Sequence, residues 1–189
     1  MFMQGDWLFR VVHIEMSGPE DLEPIMRLYD DASALQLSKG MITWPKFPSS
    51  LVEEELRAGL QWKGLVDGEI ACIWAVAFRD PLIWGERDAD PSIYLHRIAT
   101  APAQRGQGLV GQIVIWAEQI CHERGLRFIR LDTVGDNEGL IRHYIHHGFT
   151  FLGSDVLKDV GGLPSHYAED VVLRFEIDLL TEKINAPTS

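Results

Sequence analysis

Residues Arg105-Gly106-Gln107-Gly108-Leu109-Val110-Gly111 carry the clearest chemical signal in the chain. They follow a strand-like run and open a helix-like one. Glycines at such a junction let the backbone come close to a ligand. The free N–H groups of a helix start point at that ligand, and the helix dipole adds about half a positive charge there. A pyrophosphate is the natural guest; a plain strand-to-helix turn is the competing reading. Gly106, Gly108 and Gly111 also spell GxGxxG, with Asp132 about 20 residues on, as in a dinucleotide-binding fold. Three features speak against that fold. Ala101 to Arg105 separate the strand end from the first glycine, only 57 residues follow Asp132, and the preceding half reads as hairpins, not βαβ units. A P-loop is excluded because no Lys-Ser or Lys-Thr follows the glycines.

Other reactive side chains are few. His143 and His147 stand four residues apart on one helix face, with His146 beside them. No HExxH pattern and no obvious third carboxylate accompanies them, so a solvated face near bound phosphates, shared with Arg142, fits better than a metal site. No metal is expected. Cys72 and Cys121 sit in apolar surroundings and read as core, which leaves neither a disulfide framework nor a placed thiol nucleophile.

The elements that must position these residues follow from periodicity. Trp7 to Glu15 reads as a strand, and Leu22 to Leu37 as a helix with apolar residues mainly at helical spacing. Lys39 to Ser50 is a loop, and Ser50 caps a short acidic helix through Leu60. Asp67-Gly68 turns a hairpin whose second strand runs to Phe78. Arg79 to Pro91 is a polar connection, and Ile93 to Thr100 a strand. Then come a helix over Leu109 to Arg124 stopped by Gly125, a strand over Arg127 to Val134, and a helix over Asn137 to His147 stopped by Gly148. Phe149 to Leu152 and Tyr167 to Leu179 close the set as strands, with a frayed tail after Thr181.

The chain has 189 residues, 46% hydrophobic and 24% charged, with a formal net charge of −11. That suits one soluble domain spanning 1–189 with its own core. The negative charge argues against broad phosphate binding to nucleic acid. The longest clean apolar run, Ile70 to Phe78, is nine residues, too short for a membrane span, and Met1 to Glu15 lacks a signal-peptide core. The expected location is cytoplasmic, with no membrane partner. Residues 1–90 hold 16 acids and 8 bases, whereas residues 91–151 hold 5 acids, 6 arginines and 5 of the 7 histidines. The middle of the chain is therefore where a polyanionic ligand would sit, chance variation being the alternative.

The strand over Arg127 to Val134 leads into Asp136-Asn137-Glu138-Gly139-Leu140-Ile141-Arg142-His143-Tyr144-Ile145-His146-His147-Gly148-Phe149. The RGxGxxG loop followed by this DN…LIxxYxxxGF segment resembles the GNAT (N-acetyltransferase) superfamily. The likeness is strong over Ile93 to Leu152; residues 1–90 agree in the order of elements only. One position departs from it. The family's loop usually ends R-x-x-G-x-G or R-x-x-G-x-A. Here Arg105 and Gly108 fit, but Val110 holds the last place.

The resemblance implies an α/β fold with a mostly antiparallel mixed sheet, splayed at the cofactor site and flanked by helices. It implies acetyl-CoA as co-substrate, with the core at about 93–152 and the acceptor side mainly in 1–90. Arg105, Gly106, Gln107, Gly108, Leu109, Val110 and Gly111 would hold the pyrophosphate. Ile98, Ala99 and Thr100 would bind the pantetheine arm through backbone groups, opposite a strand containing Leu131 to Thr133. Asn137 would lie near the same arm, helix capping being its other reading. Tyr144 would protonate the leaving thiolate, with packing among Leu140, Ile141 and Ile145 as the alternative. His96 would be the base, or the first link of a water chain to one, with Asp132 as the backup; a hydrogen-bonded or surface strand histidine and a salt bridge from Asp132 to a nearby arginine are the plainer readings. Trp44, Pro45, Phe47, Asp30 and Asp31 would help form the acceptor site, where aromatic walls and carboxylates suit a cationic amine; core packing and an acidic surface are the plainer alternative.

The activity expected is direct acetyl transfer to a primary amine, of a small molecule first and of a protein N-terminus or lysine as the nearest variant. A non-catalytic acyl-CoA sensor is the reading from another class. A homodimer is left open.

Overall fold

Asp67 and Gly68 both have positive φ, 54° and 82°, as a tight two-residue hairpin turn demands. They join β2 (Gln61–Val66) to β3 (Glu69–Ala77). Around this hairpin the sheet builds outward. The structure, a computed structural model, describes residues 12–157, 161–167 and 171–180. Before the hairpin come β1 (His13–Met16), α1 (Leu22–Ser38) and α2 (Ser49–Arg57). After it come α3 (Pro81–Trp84), β4 (Ser92–Thr100), α4 (Leu109–Arg124), β5 (Phe128–Val134), α5 (Glu138–His146), β6 (Thr150–Val156) and β7 (Val171–Asp178). The strands form one mixed sheet in the order β1-β2-β3-β4-β5-β7-β6. Every neighbouring pair is antiparallel except β4 and β5.

Alternation along the central strands divides the core in two. Cys72, Trp74 and Val76 of β3 pack with Ile113, Trp116 and Ala117 of α4, while Ile73 turns to Ile25 and Tyr29 of α1 and Val52 and Leu56 of α2. Trp116 meets both Trp74 and Trp62 at ring distances of 5.1 and 4.6 Å. Burying each such side chain stabilises the fold by about 1.5–3 kcal/mol or more. Both cysteines are buried here, and burial pushes each thiol up to about 12, in keeping with a packing role.

Two irregularities shape what lies between β4 and β5. Their pairing covers only Ser92↔Phe128, Ile93↔Ile129 and Tyr94↔Arg130. Beyond that point the strands part. The last pair is clamped by Arg130, which is fully buried, donates to Asp90 and Glu176 at 2.7 Å each, and stacks over Phe128 and Trp84. The second irregularity is a bulge in β4. Ala75 pairs with His96 and Ile73 with Ala99, so β4 carries one residue more than β3 there. Arg97 absorbs the extra residue at φ 50°, a left-handed conformation uncommon outside glycine.

Several expected boundaries move. α2 begins at Ser49 behind Pro48, whose extended backbone forms the cap, so Ser50 lies inside the helix. The connection 79–91 is not plain loop: Pro81 starts α3, and a 3-10 turn follows at Gly85–Ala89. Buried Asp88 holds it together, accepting from Arg79 Nε at 2.6 Å and from the Tyr94 hydroxyl at 3.0 Å. Tyr167 ends a 3-10 turn (Ser165–Tyr167) and is not the start of the last strand, because its hydroxyl is tied to Asp132. Residues 7–11 of the expected first strand and the tail after Thr181 lie outside the described residues. No helix among the described residues is long and apolar enough to cross a membrane.

Candidate active site

Where β4 and β5 part, a cleft of about 1160 Å³ opens between Leu95–Thr100 on one side and Leu131–Val134 on the other. Beyond Tyr94 the β4 edge facing β5 has no strand partner among the described residues. That leaves extended backbone able to hydrogen-bond a linear ligand lying in the gap. The cleft brings together Ile98, Ala99, Thr100, Arg105, Gly106, Gln107, Gly108, Leu109, Val110, Asn137, Tyr144 and His96. Gly111 does not line it. It sits in the first turn of α4, where an added Cβ would lie 3.4 Å from His147 Nδ1.

The glycine loop forms one end of the cleft. Gly106 and Gly108 have φ of 78° and 70°, and nothing lies within 4 Å of where a Cβ would be. Gly108 is the N-cap of α4, so the first N–H groups of a 16-residue helix open at this point. Val110 is buried on the first turn of that helix, at the cleft wall. The Arg105 guanidinium reaches across to the Asp31 carbonyl at 3.3 Å, tying the loop to α1. His143, His146 and His147 line this same end, with ring distances of 4.8 Å (His143 to His147) and 5.3 Å (His146 to His147). Burial and neighbouring histidines depress His143 and His147 below the usual imidazole range, which favours their neutral forms.

Asn137 stands just before α5. Its side chain caps α5, accepting from the Leu140 N–H at 3.1 Å, and it lines the cleft. Tyr144 also lines the cleft, its ring 5.3 Å from that of His143. Its ring packs on Phe149 and Phe175 at 5.8 and 5.1 Å. Burial, with the Asp132 charge adding, pushes its hydroxyl up to about 12. Its resting form near neutral pH is therefore the protonated phenol.

The other end holds three titratable groups that face one another. Asp80 before α3, His96 at the β4 bulge and Asp132 on β5 each place one donor atom within 4.8 Å of the other two. His96 Nε2 lies 3.7 Å from Asp80 Oδ2. That oxygen is buried and has no hydrogen-bond partner among the described residues. Asp132 accepts from the Tyr167 hydroxyl at 2.7 Å. Burial pushes Asp80 up to about 7, and the Asp132 charge adds to it. Burial likewise lifts Asp132 to about 6, against the hydrogen bond from Tyr167 and the charge of Arg174. His96 goes the other way, down to about 4, through burial and the charge of Arg97. Such a set can receive one cationic centre, an ammonium or a metal ion.

Beside it, Arg97 pairs with Glu55, and Glu55 accepts from Gln61 Nε2 at 2.7 Å. The Arg97 guanidinium stacks over Phe47 and Tyr29 at 5.2 and 5.7 Å. Of the expected acceptor-side residues, Trp44 and Phe47 line the cleft. Asp30 and Asp31 are exposed, and neither lines it. The carboxylates that do are Glu55, Asp80 and Asp132. Asp80, Arg97 and Tyr167 are missed by sequence reasoning, since only the fold carries them to the cleft.

Residues 29–149 match the family model described as "Acetyltransferase (GNAT) family". The chain is similar to an uncharacterized N-acetyltransferase, YesJ of Bacillus subtilis, 40% identical over 76 residues. That match spans 40% of this chain and 42% of the relative's length. Crystal structures of GNAT-family acetyltransferases from Listeria monocytogenes and Streptococcus agalactiae share the fold. Their TM-scores are 0.70 and 0.67, at 24% and 20% identity, over 89% and 88% of this chain and 95% of each of theirs.

Proposed function

We propose that this chain, which belongs to the GNAT acetyltransferase family, transfers acetyl from acetyl-CoA to a primary amine of a small molecule. The observation that carries the reading is the cleft's polarity. It has a helix N-terminus with an open glycine loop at one end, a group of carboxylates and an imidazole at the other, and Tyr144 between. The loop and the first N–H groups of α4 would hold the pyrophosphate. The pantetheine arm would lie along the free edge of β4, taking main-chain hydrogen bonds from Ile98 to Thr100 as a strand would. That delivers the thioester to the middle of the cleft.

The amine attacks the thioester carbonyl directly, since no placed Cys or Ser nucleophile lines the acceptor end among the described residues. Holding both reactants in one cleft supplies much of the rate. Tyr144 gives its proton to the departing sulfur. His96 stands at the acceptor end beside Asp80 and Asp132, as the first link of the path that carries the amine proton away. The test is to incubate the protein with acetyl-CoA and a panel of amines, following free thiol and the mass of the product. Acetylated amine in step with CoA is the expected result. Acetyl-CoA binding without transfer to any amine would support a sensor instead.

A further inference from the structure

We propose that Asp80, with Asp132 and His96, forms a seat for an ammonium group and that Asp80 takes its proton; the acceptor is then a primary alkylamine bound as its cation. This rests on the acetyl-transfer reading and names the substrate class and a proton acceptor for it. The geometry points to Asp80 in particular. Its Oδ2 is buried, accepts no hydrogen bond among the described residues and lies 3.7 Å from His96 Nε2. A buried carboxylate oxygen left without a donor is costly, and a donor arriving with the substrate relieves that cost. Asp132 is differently placed. Its hydrogen bond from Tyr167 at 2.7 Å fixes its orientation, so it holds the second side of the seat. With one acceptor atom from each of the three within 4.8 Å of the others, a single nitrogen with three N–H bonds fits among them. Burial supports the assignment, because it makes both carboxylates better proton acceptors than a solvated aspartate.

The proton balance closes. R–NH3+ binds in the seat and one N–H proton moves to Asp80 Oδ2. The freed lone pair forms the N–C bond to the thioester carbonyl. The adduct collapses, the C–S bond breaks with its electron pair on sulfur, and the Tyr144 hydroxyl proton goes to that sulfur. The second N–H proton, acidic in the adduct, returns through water to the Tyr144 phenolate. Asp80 releases its proton to solvent, so each turnover yields amide, CoA thiol and one proton. An arylamine is neutral at pH 7, has no ammonium proton to surrender and gains little from the seat.

The test compares benzylamine, 2-phenylethylamine and putrescine with aniline and 4-toluidine, measuring CoA thiol release by wild type, Asp80→Asn and Asp132→Asn. Calorimetry with acetyl-CoA runs alongside as the check on folding. Wild type is expected to prefer the alkylamines. Asp80→Asn is expected to lower their kcat/KM about 100-fold or more, to lose far less with the arylamines, and to bind acetyl-CoA as wild type does. EDTA is expected to change nothing. Equal losses for both amine classes, arylamine preference, or a metal requirement exposed by EDTA would overturn the seat. So would acetyl-CoA binding with no alkylamine turned over. Failure to bind acetyl-CoA at all would overturn the acetyl-transfer reading itself.

Discussion

Replacing Tyr144 by Phe removes one hydroxyl and little else. The ring keeps its contacts with Phe149 at 5.8 Å and Phe175 at 5.1 Å, so packing is preserved. Loss of the hydroxyl changes stability by no more than about 1 kcal/mol, a shift in Tm of about 2–4 °C at this chain length. Catalysis is affected much more. A positioned general acid contributes about 10²–10⁴-fold, which is about 3–5 kcal/mol of barrier. Because burial and Asp132 push the hydroxyl up to about 12, wild-type Tyr144 stays protonated through the range in which the enzyme can be assayed. The variant's pH profile is therefore expected to be parallel to wild type and displaced downward. The assay is kcat from CoA thiol release, with the acetyl-CoA Kd and Tm measured on the same preparation. A kcat within threefold of wild type would refute the acid role and leave Tyr144 as packing. A fall in kcat matched by a fall in Tm or a rise in Kd would do the same.

Wild-type kcat/KM is expected to rise with pH through about 6 to 7, where Asp132 and Asp80 titrate, because the proton acceptor must be ionised. A limb near 4 would instead assign the base to His96. Linkage gives Asp80 a second signature. Its folded pKa is raised above the unfolded value near about 3.9, so its unfavourable contribution to stability grows as pH rises from about 4 to about 7. Asp80→Asn should accordingly raise Tm at pH 8, by thermal melt, while activity falls; an unchanged Tm would contradict the burial argument. Gly108→Val forces a side chain into φ 70° at the loop, at about 1–2 kcal/mol, and places it in the open space reserved for phosphate. Calorimetry should show acetyl-CoA affinity at least tenfold weaker. Arg130→Met leaves Asp90 and Glu176 without their buried partner and should cost about 3–5 kcal/mol, read as a drop of about 6–20 °C in Tm. A drop under 3 °C would mean that the clamp at the strand divergence is not structural.

Local sequence was most informative where one residue decides a backbone state. Gly108 and Gly125, both left-handed, bound α4 at the positions their spacing implies, and Asp67-Gly68 closes its hairpin. Asn137 caps α5 as an Asn before a helical run should. The acceptor end was less legible. Asp30 and Asp31 looked suitable by type, but α1 turns them to solvent. Asp80 and Tyr167 sit in connections with little periodicity. Their place is set by Asp88 holding 79–91 together and by Tyr167 reaching Asp132, contacts 8 to 35 residues apart in sequence. Arg97 depends on a bulge, which no alternation pattern announces. The glycine-loop end was readable because backbone conformation defines it. The acceptor end was not, because side chains from widely separated segments converge on it.

The central claim is that this cleft holds acetyl-CoA by its glycine loop and its divergent strands. Calorimetric titration of the purified protein with acetyl-CoA, with NADH as the control, tests it most directly. Saturable one-to-one binding of acetyl-CoA and no heat with NADH are expected. Absence of acetyl-CoA binding would contradict it, placing Val110 or its neighbours in the way of the phosphates. Binding of NADH in its place would return the glycine loop to the dinucleotide reading.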